Sequence, residues 1–110
     1  MKKQARRHGF NFEFYTARKH PHGGIVGNRT SHIAVLKTIK PGERVLILED
    51  DCVFQCAPEI PLDVPEDYDI LYLGATMKGL ESWSDELNLA IVCWATHAYI
   101  PNPAIVPKLI

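Results

Sequence analysis

A chain of 110 residues with a formal net charge of -1 is long enough for one hydrophobic core, and too balanced in charge for a polyanion binder or a disordered tail. Its hydrophobic content of 46% is that of an ordinary globular domain, so residues 1–110 read as a single domain. Cys52, Cys56 and Cys93 form no paired framework, which favours a reducing compartment or plain core packing. Cys52-x-x-x-Cys56 also lacks the second pair of ligands that a zinc site needs.

No apolar run approaches the length of a bilayer span, and the charged Met1–Arg7 start has no signal-peptide core, so the expected location is the cytoplasm. Lys2, Lys3, Arg6, Arg7, Arg18 and Lys19 crowd the first twenty residues, with only Glu13 against them. They read as the exposed face of an amphipathic helix. Without an aromatic and basic platform beside them, nucleic acid is not an expected partner.

In chain order, Met1 to His8 are helix formers stopped by Gly9, and Asn11 to Thr16 alternate like a strand. Pro21, Gly23, Gly24 and Gly27 mark a loop. Asn28 to Ile39 turns helical, with Ile33, Leu36 and Ile39 on one stripe, until Pro41-Gly42 ends it. Arg44–Leu48 is then predicted as the central strand. Pro58, Pro61 and Pro65 punctuate an irregular crossing, and Asp69 to Leu73 is a second strand ended by Gly74. Thr76 to Asn88 reads as a loop broken at Gly79. Leu89 to Trp94 and Ala98 to Ile100 read as two further strands. Asn102-Pro103 has the form of a helix start, with Pro107 limiting that helix to a turn or so. Helices between apolar strands predict an α/β fold with a mostly parallel sheet. A chain that opens on a helix and stops inside another looks cut at both ends.

The densest chemistry follows the predicted central strand. Val45-Leu46-Ile47-Leu48 runs straight into Glu49-Asp50-Asp51. Three adjacent carboxylates repel one another unless a cation neutralises them, and oxygen ligands suit Mn²⁺ or Mg²⁺. Ligands of open α/β sheets bind at the carboxyl ends of strands, where these acids fall. A solvated acidic turn is the plain alternative. Alternate residues of an extended segment share a face, so Glu49 and Asp51 are the expected pair on one ion, while Asp50 faces elsewhere.

Four blocks in order resemble glycosyltransferase family 25, which includes lipooligosaccharide glycosyltransferases and collagen galactosyltransferases. Gly24-Ile25-Val26-Gly27-Asn28-Arg29-Thr30-Ser31-His32 is similar to that family's Gly-x-x-Gly-Cys-x-x-Ser-His segment, with Asn28 in place of its usual Cys. Leu46-Ile47-Leu48-Glu49-Asp50-Asp51 resembles its Leu-Ile-Leu-Glu-Asp-Asp signature. Tyr68-Asp69-Ile70-Leu71-Tyr72-Leu73-Gly74 resembles the strand after it, and Thr96-His97-Ala98-Tyr99-Ile100 its Thr-His-Ala-Tyr stretch. The resemblance covers nearly the whole chain, without the family's opening strand or the part beyond Ile110.

The resemblance implies an inverting sugar transferase of the GT-A type. It would use a nucleotide-diphosphate sugar, a uridine diphosphate sugar in first place, and a glycan or other hydroxyl acceptor. Glu49 and Asp51 then take the metal, as a Glu-x-Asp form of the Asp-x-Asp motif, with Asp51 as the direct ligand. Gly24, Gly27, Ser31, His32 and Asp50 become donor or substrate contacts. Plain structural roles stay open for several of these: a connecting turn for the glycines, a helix cap for Ser31, a packed side chain for His32. Structural roles are expected for His97 and Tyr99, and core indoles for Trp83 and Trp94. Inversion needs a base for the acceptor hydroxyl, and Asp69, Asp85 and Glu86 are all candidates. A non-catalytic remnant that binds a nucleotide sugar, a metal or another protein is the competing reading.

Overall fold

The computed structural model describes residues 12–53, 64–82, 84 and 87–110, with backbone alone at 77, 89 and 91–96. The helix expected over Met1 to His8, the crossing through Pro58 and Pro61, and Trp83, Asp85 and Glu86 lie outside the described residues, as do the side chains of Cys93 and Trp94. The described elements are helix α1 (Gly24–Leu36), strands β1 (Ile47–Leu48), β2 (Ile70–Ser82) and β3 (Asn88–Pro101), and the short helix α2 (Val106–Leu109).

Helix α1 begins four residues earlier than the predicted Asn28 and takes in Gly24 and Gly27. Its start has no side-chain cap. The chain turns at Gly23, whose φ of 101° suits glycine, and the Gly23 carbonyl accepts the Gly27 N–H. Gly27 itself is buried, and a Cβ there would meet His20 Cβ at 3.4 Å, so its bareness admits the segment before the helix. Thr30 and Ser31 return their hydroxyls to the carbonyls of Val26 and Gly27, one turn back. After Leu36 the ladder tightens through Thr38 and Ile39, and Pro41-Gly42 turns the chain with φ 77° at Gly42. The helix therefore ends three residues before the predicted Ile39, and Pro41-Gly42 marks the turn that follows it.

The three strands lie in the order β1-β3-β2, and both pairs are antiparallel. The mostly parallel sheet expected from the sequence is therefore not what the described strands form. For β2 and β3 the physical reason is the short connection 83–87, since a parallel pair needs a crossover of about a dozen residues or more. Ser84 closes that connection, its N–H donating to the Leu87 carbonyl and its Oγ accepting the Leu87 N–H. The predicted loop over Thr76 to Asn88 is thus largely strand, and Leu89 to Trp94 joins Ala98 to Ile100 in one continuous β3. The central position falls to β3; the predicted central strand is a two-residue edge. Phe12 and Phe14 meet edge to face at 6.3 Å, yet no strand forms over residues 12–16.

The core lies where α1 and α2 cover one face of the sheet. Leu36, Ile47, Tyr99 and Val106 are its buried centre, with Val35, Ile39, Ile70, Tyr72 and Leu109 around them. Asn102 ties the start of α2 to the strand entrance. Its Nδ2 donates to the carbonyls of Glu66 and Tyr68, its Oδ1 accepts the Ala104 N–H, and its own N–H reaches the Asp69 carbonyl.

Candidate metal centre

Strand pairing assembles the site. Ile47 stands opposite Tyr99 and Leu48 opposite Ala98, and the Glu49 N–H donates to the His97 carbonyl at 2.9 Å. Residues directly opposite in an antiparallel pair project from the same face. Glu49 and His97 therefore meet on the face that carries Ile47 and Tyr99. On its other side, β3 slips register against β2. Gly74 pairs with Ala98 and Ala75 with Thr96, which leaves His97 as the extra residue of an irregularity. Such bulges re-aim a side chain. The Cys52 N–H donates back to the Glu49 carbonyl at 3.2 Å, and this turn folds Asp51 toward the same place.

Glu49, Asp51 and His97 each offer one ligand atom, and those atoms lie within 4.8 Å of one another. His97 Nδ1 stands 3.5 Å from Glu49 Oε2 and 3.6 Å from Asp51 Oδ1. It is buried and makes no hydrogen bond with either. An imidazole nitrogen aimed between two carboxylates with its hydrogen-bonding capacity unused is a donor set that fits a divalent cation. Oxygen with one imidazole suits Mn²⁺ as well as harder ions. The negative field is felt next door: burial first, then Asp51 and Glu49, push the Cys52 thiol up.

Glu49 is shared with a cleft of about 340 Å³, within the range of small-ligand sites. Asn28, Arg29 and His32 of α1 form one wall, and Tyr72 of β2 and Tyr99 of β3 form another. His32 joins cleft to cluster, with Nδ1 2.7 Å from Tyr99 Oη and Nε2 3.4 Å from Glu49 Oε1. The Tyr99 phenol is pushed up to about 12 by burial, then by Glu49 and Tyr72.

Of the residues singled out from the sequence, the structure brings Glu49, Asp51 and His32 together. Asp50 is exposed in the turn and outside the cleft lining. Gly24 and Gly27 lie in the first turns of α1, and Ser31 spends its hydroxyl on the Gly27 carbonyl; none of the three lines the cleft. Asp69 is exposed and also outside that lining. Asp85 and Glu86 lie outside the described residues.

Structural roles were expected for His97 and Tyr99; Tyr99 is buried in the core, and both side chains also stand close to Glu49 or His32. Their i, i+2 spacing on an apolar strand was the available signal, because it puts both on one face. Among the described residues no helix is long and apolar enough to cross a membrane. No protein-family model matches this chain, and no curated protein or solved structure does either.

Proposed function

We propose that this chain carries the core of a metal-dependent, inverting glycosyltransferase of the GT-A type. It takes a sugar from a nucleotide diphosphate, a uridine diphosphate sugar in first place, and passes it to a glycan or other hydroxyl acceptor. The observation that carries this reading is the cluster of Glu49, Asp51 and His97 sharing Glu49 with a ligand-sized cleft. The four sequence blocks support it, because each contributes to one place: His32 from the first, Glu49 and Asp51 from the second, Tyr72 from the third, His97 and Tyr99 from the fourth.

Glu49, Asp51 and His97 would hold Mn²⁺ or Mg²⁺, which supplies positive charge against a departing diphosphate. Arg29 in the cleft wall adds a fixed cation suited to phosphate oxygens. Tyr72 and Tyr99 give the cleft aromatic walls on which a flat or apolar ligand face can rest.

Mn²⁺ should raise the melting temperature of the wild type, by a stabilisation of about 2.7 kcal/mol at a hundred times its dissociation constant. Asp51→Asn removes one charge at nearly constant shape and should abolish the shift. An equal shift in the variant refutes ligation by this cluster. Calorimetry should show a uridine diphosphate sugar binding more tightly with Mn²⁺ than without, and Mn²⁺ gaining the same factor from the nucleotide. A donor-hydrolysis assay then separates the two classes. Turnover lost in Asp51→Asn identifies an enzyme, and coupled binding without turnover identifies a binding module.

A further inference from the structure

We infer that the cleft beside Glu49 takes an amphiphilic hydroxyl compound, a sugar or polyol carrying an aliphatic chain. Its hydroxyls lie against Asn28, and its chain fills a slot formed by Ile33, Ile70 and Leu109. That this compound is the acceptor rests on the transferase reading above; the binding site itself does not.

The cleft is graded from polar to apolar along both walls. Its α1 wall is Asn28, Arg29, His32, Ile33 and Leu36, which share one helical face and span about 12 Å of the helix axis. The three hydrogen-bonding side chains come first and the two aliphatic ones last. Strand register sets the opposite wall in the same order. Glu49 lies beside His97, Tyr72 stands opposite Tyr99, and Ile70 stands opposite Pro101, two residues further along both strands. Leu109 of α2 completes the aliphatic end.

Each end has a capacity that the fold leaves unused. Asn28 is exposed, and its amide makes no hydrogen bond among the described residues, so it can both donate to and accept from a ligand hydroxyl. Ile33, Ile70 and Leu109 are only half-buried, so apolar surface at their end is still open to water. No side chain there can hydrogen-bond. A nucleobase edge or a phosphate placed among them would give up its water without replacement, whereas a saturated chain gains from the burial. Between the two ends, Tyr72 and Tyr99 offer rings on which the apolar face of a sugar can rest. A cleft of about 340 Å³ suits one small molecule.

The test uses methyl, butyl and hexyl glucoside as probes, below their micelle-forming concentrations and without metal. Affinity measured by NMR titration should rise about fourfold for each methylene added until the slot is full. Nuclear Overhauser contacts should run from the hexyl chain to the methyl groups of Ile33, Ile70 and Leu109. No binding by any probe, equal affinity for all three, or chain contacts elsewhere overturns the proposal. Binding only above the micelle-forming concentration overturns it too, and marks a lipid surface as the occupant.

Two substitutions separate the ends. Asn28→Ala should weaken all three probes by about fivefold and leave the gain per methylene intact. Leu109→Gln, similar in size but polar, should lower that gain and spare methyl glucoside. Leu80→Gln, at the exposed far end of β2, is the control and should change neither. Wild-type behaviour in Asn28→Ala or in Leu109→Gln overturns the proposal. Thermal melts identify any variant that fails to fold, and the chain contacts in the wild type then decide the matter. Length-dependent binding by a chain with no affinity for a uridine diphosphate sugar supports the slot and refutes the transferase reading alone. Metal-coupled nucleotide binding without length dependence does the reverse.

Discussion

The hairpin of β2 and β3 has one ladder and two different surroundings. Near Ile70–Tyr72 and Tyr99, α1 and α2 supply a covering layer, and Tyr99 is 7% exposed. Toward the turn, Lys78, Gly79, Leu80, Glu81 and Ser82 are all exposed, with Leu80 at 52%. Backbone pairing alone extends the strands; burial decides which end is firmly held. An isolated two-stranded hairpin is marginal in water. The candidate centre occurs only at the covered end, where α1 and β1 bring His32 and Glu49 to β3.

The largest effect should come from the covering layer. Leu36→Ala, at 5% exposure in the middle of the core, should cost about 2–5 kcal/mol in denaturant unfolding. A loss below 1 kcal/mol would mean that α1 does not hold this end. Next in size is alkaline titration of Tyr99. Its ordinary value of 10.0 is raised to about 12 in the fold, so the folded state favours the neutral phenol. That contribution is complete below pH 10 and is lost as pH rises from 10 toward 12. Tyr99→Phe should flatten this segment of the stability curve, and an unchanged alkaline slope would contradict it. The smallest effect belongs to the uncovered end, where Leu80→Ala should stay within about 0.5 kcal/mol. A cost like that of Leu36 would erase the contrast.

The sequence made the covered end partly legible and the uncovered end illegible. Val45–Leu48 announced a strand by its apolar run, and Ile33 and Leu36 a helix by their spacing. Asn102-Pro103 read as a helix start, but the helix begins at Val106 with Pro107 in its first turn, because residues 103–105 form a turn first. Lys78-Gly79-Leu80-Glu81 has no strand signal of its own: Gly79, at φ 81°, reads as a breaker, and only the partner β3 makes the segment extended. Antiparallel pairing was hidden because short apolar runs look alike in both kinds of sheet. Glu49 and Asp51 were visible as adjacent acids. Their conjunction with His97 depends on strand register and a bulge, neither of which is written in local residue types.

The hydrogen bond from the Glu49 N–H to the His97 carbonyl gives the candidate centre a clock. It joins positions far apart in the chain, so the cluster can exist only after a long loop has closed and β1 has docked. The amide proton of Glu49 should therefore exchange with solvent only when that docking opens. Any ligand drawing Glu49 and His97 together would slow its exchange, making one backbone proton a reporter of how often the centre comes apart.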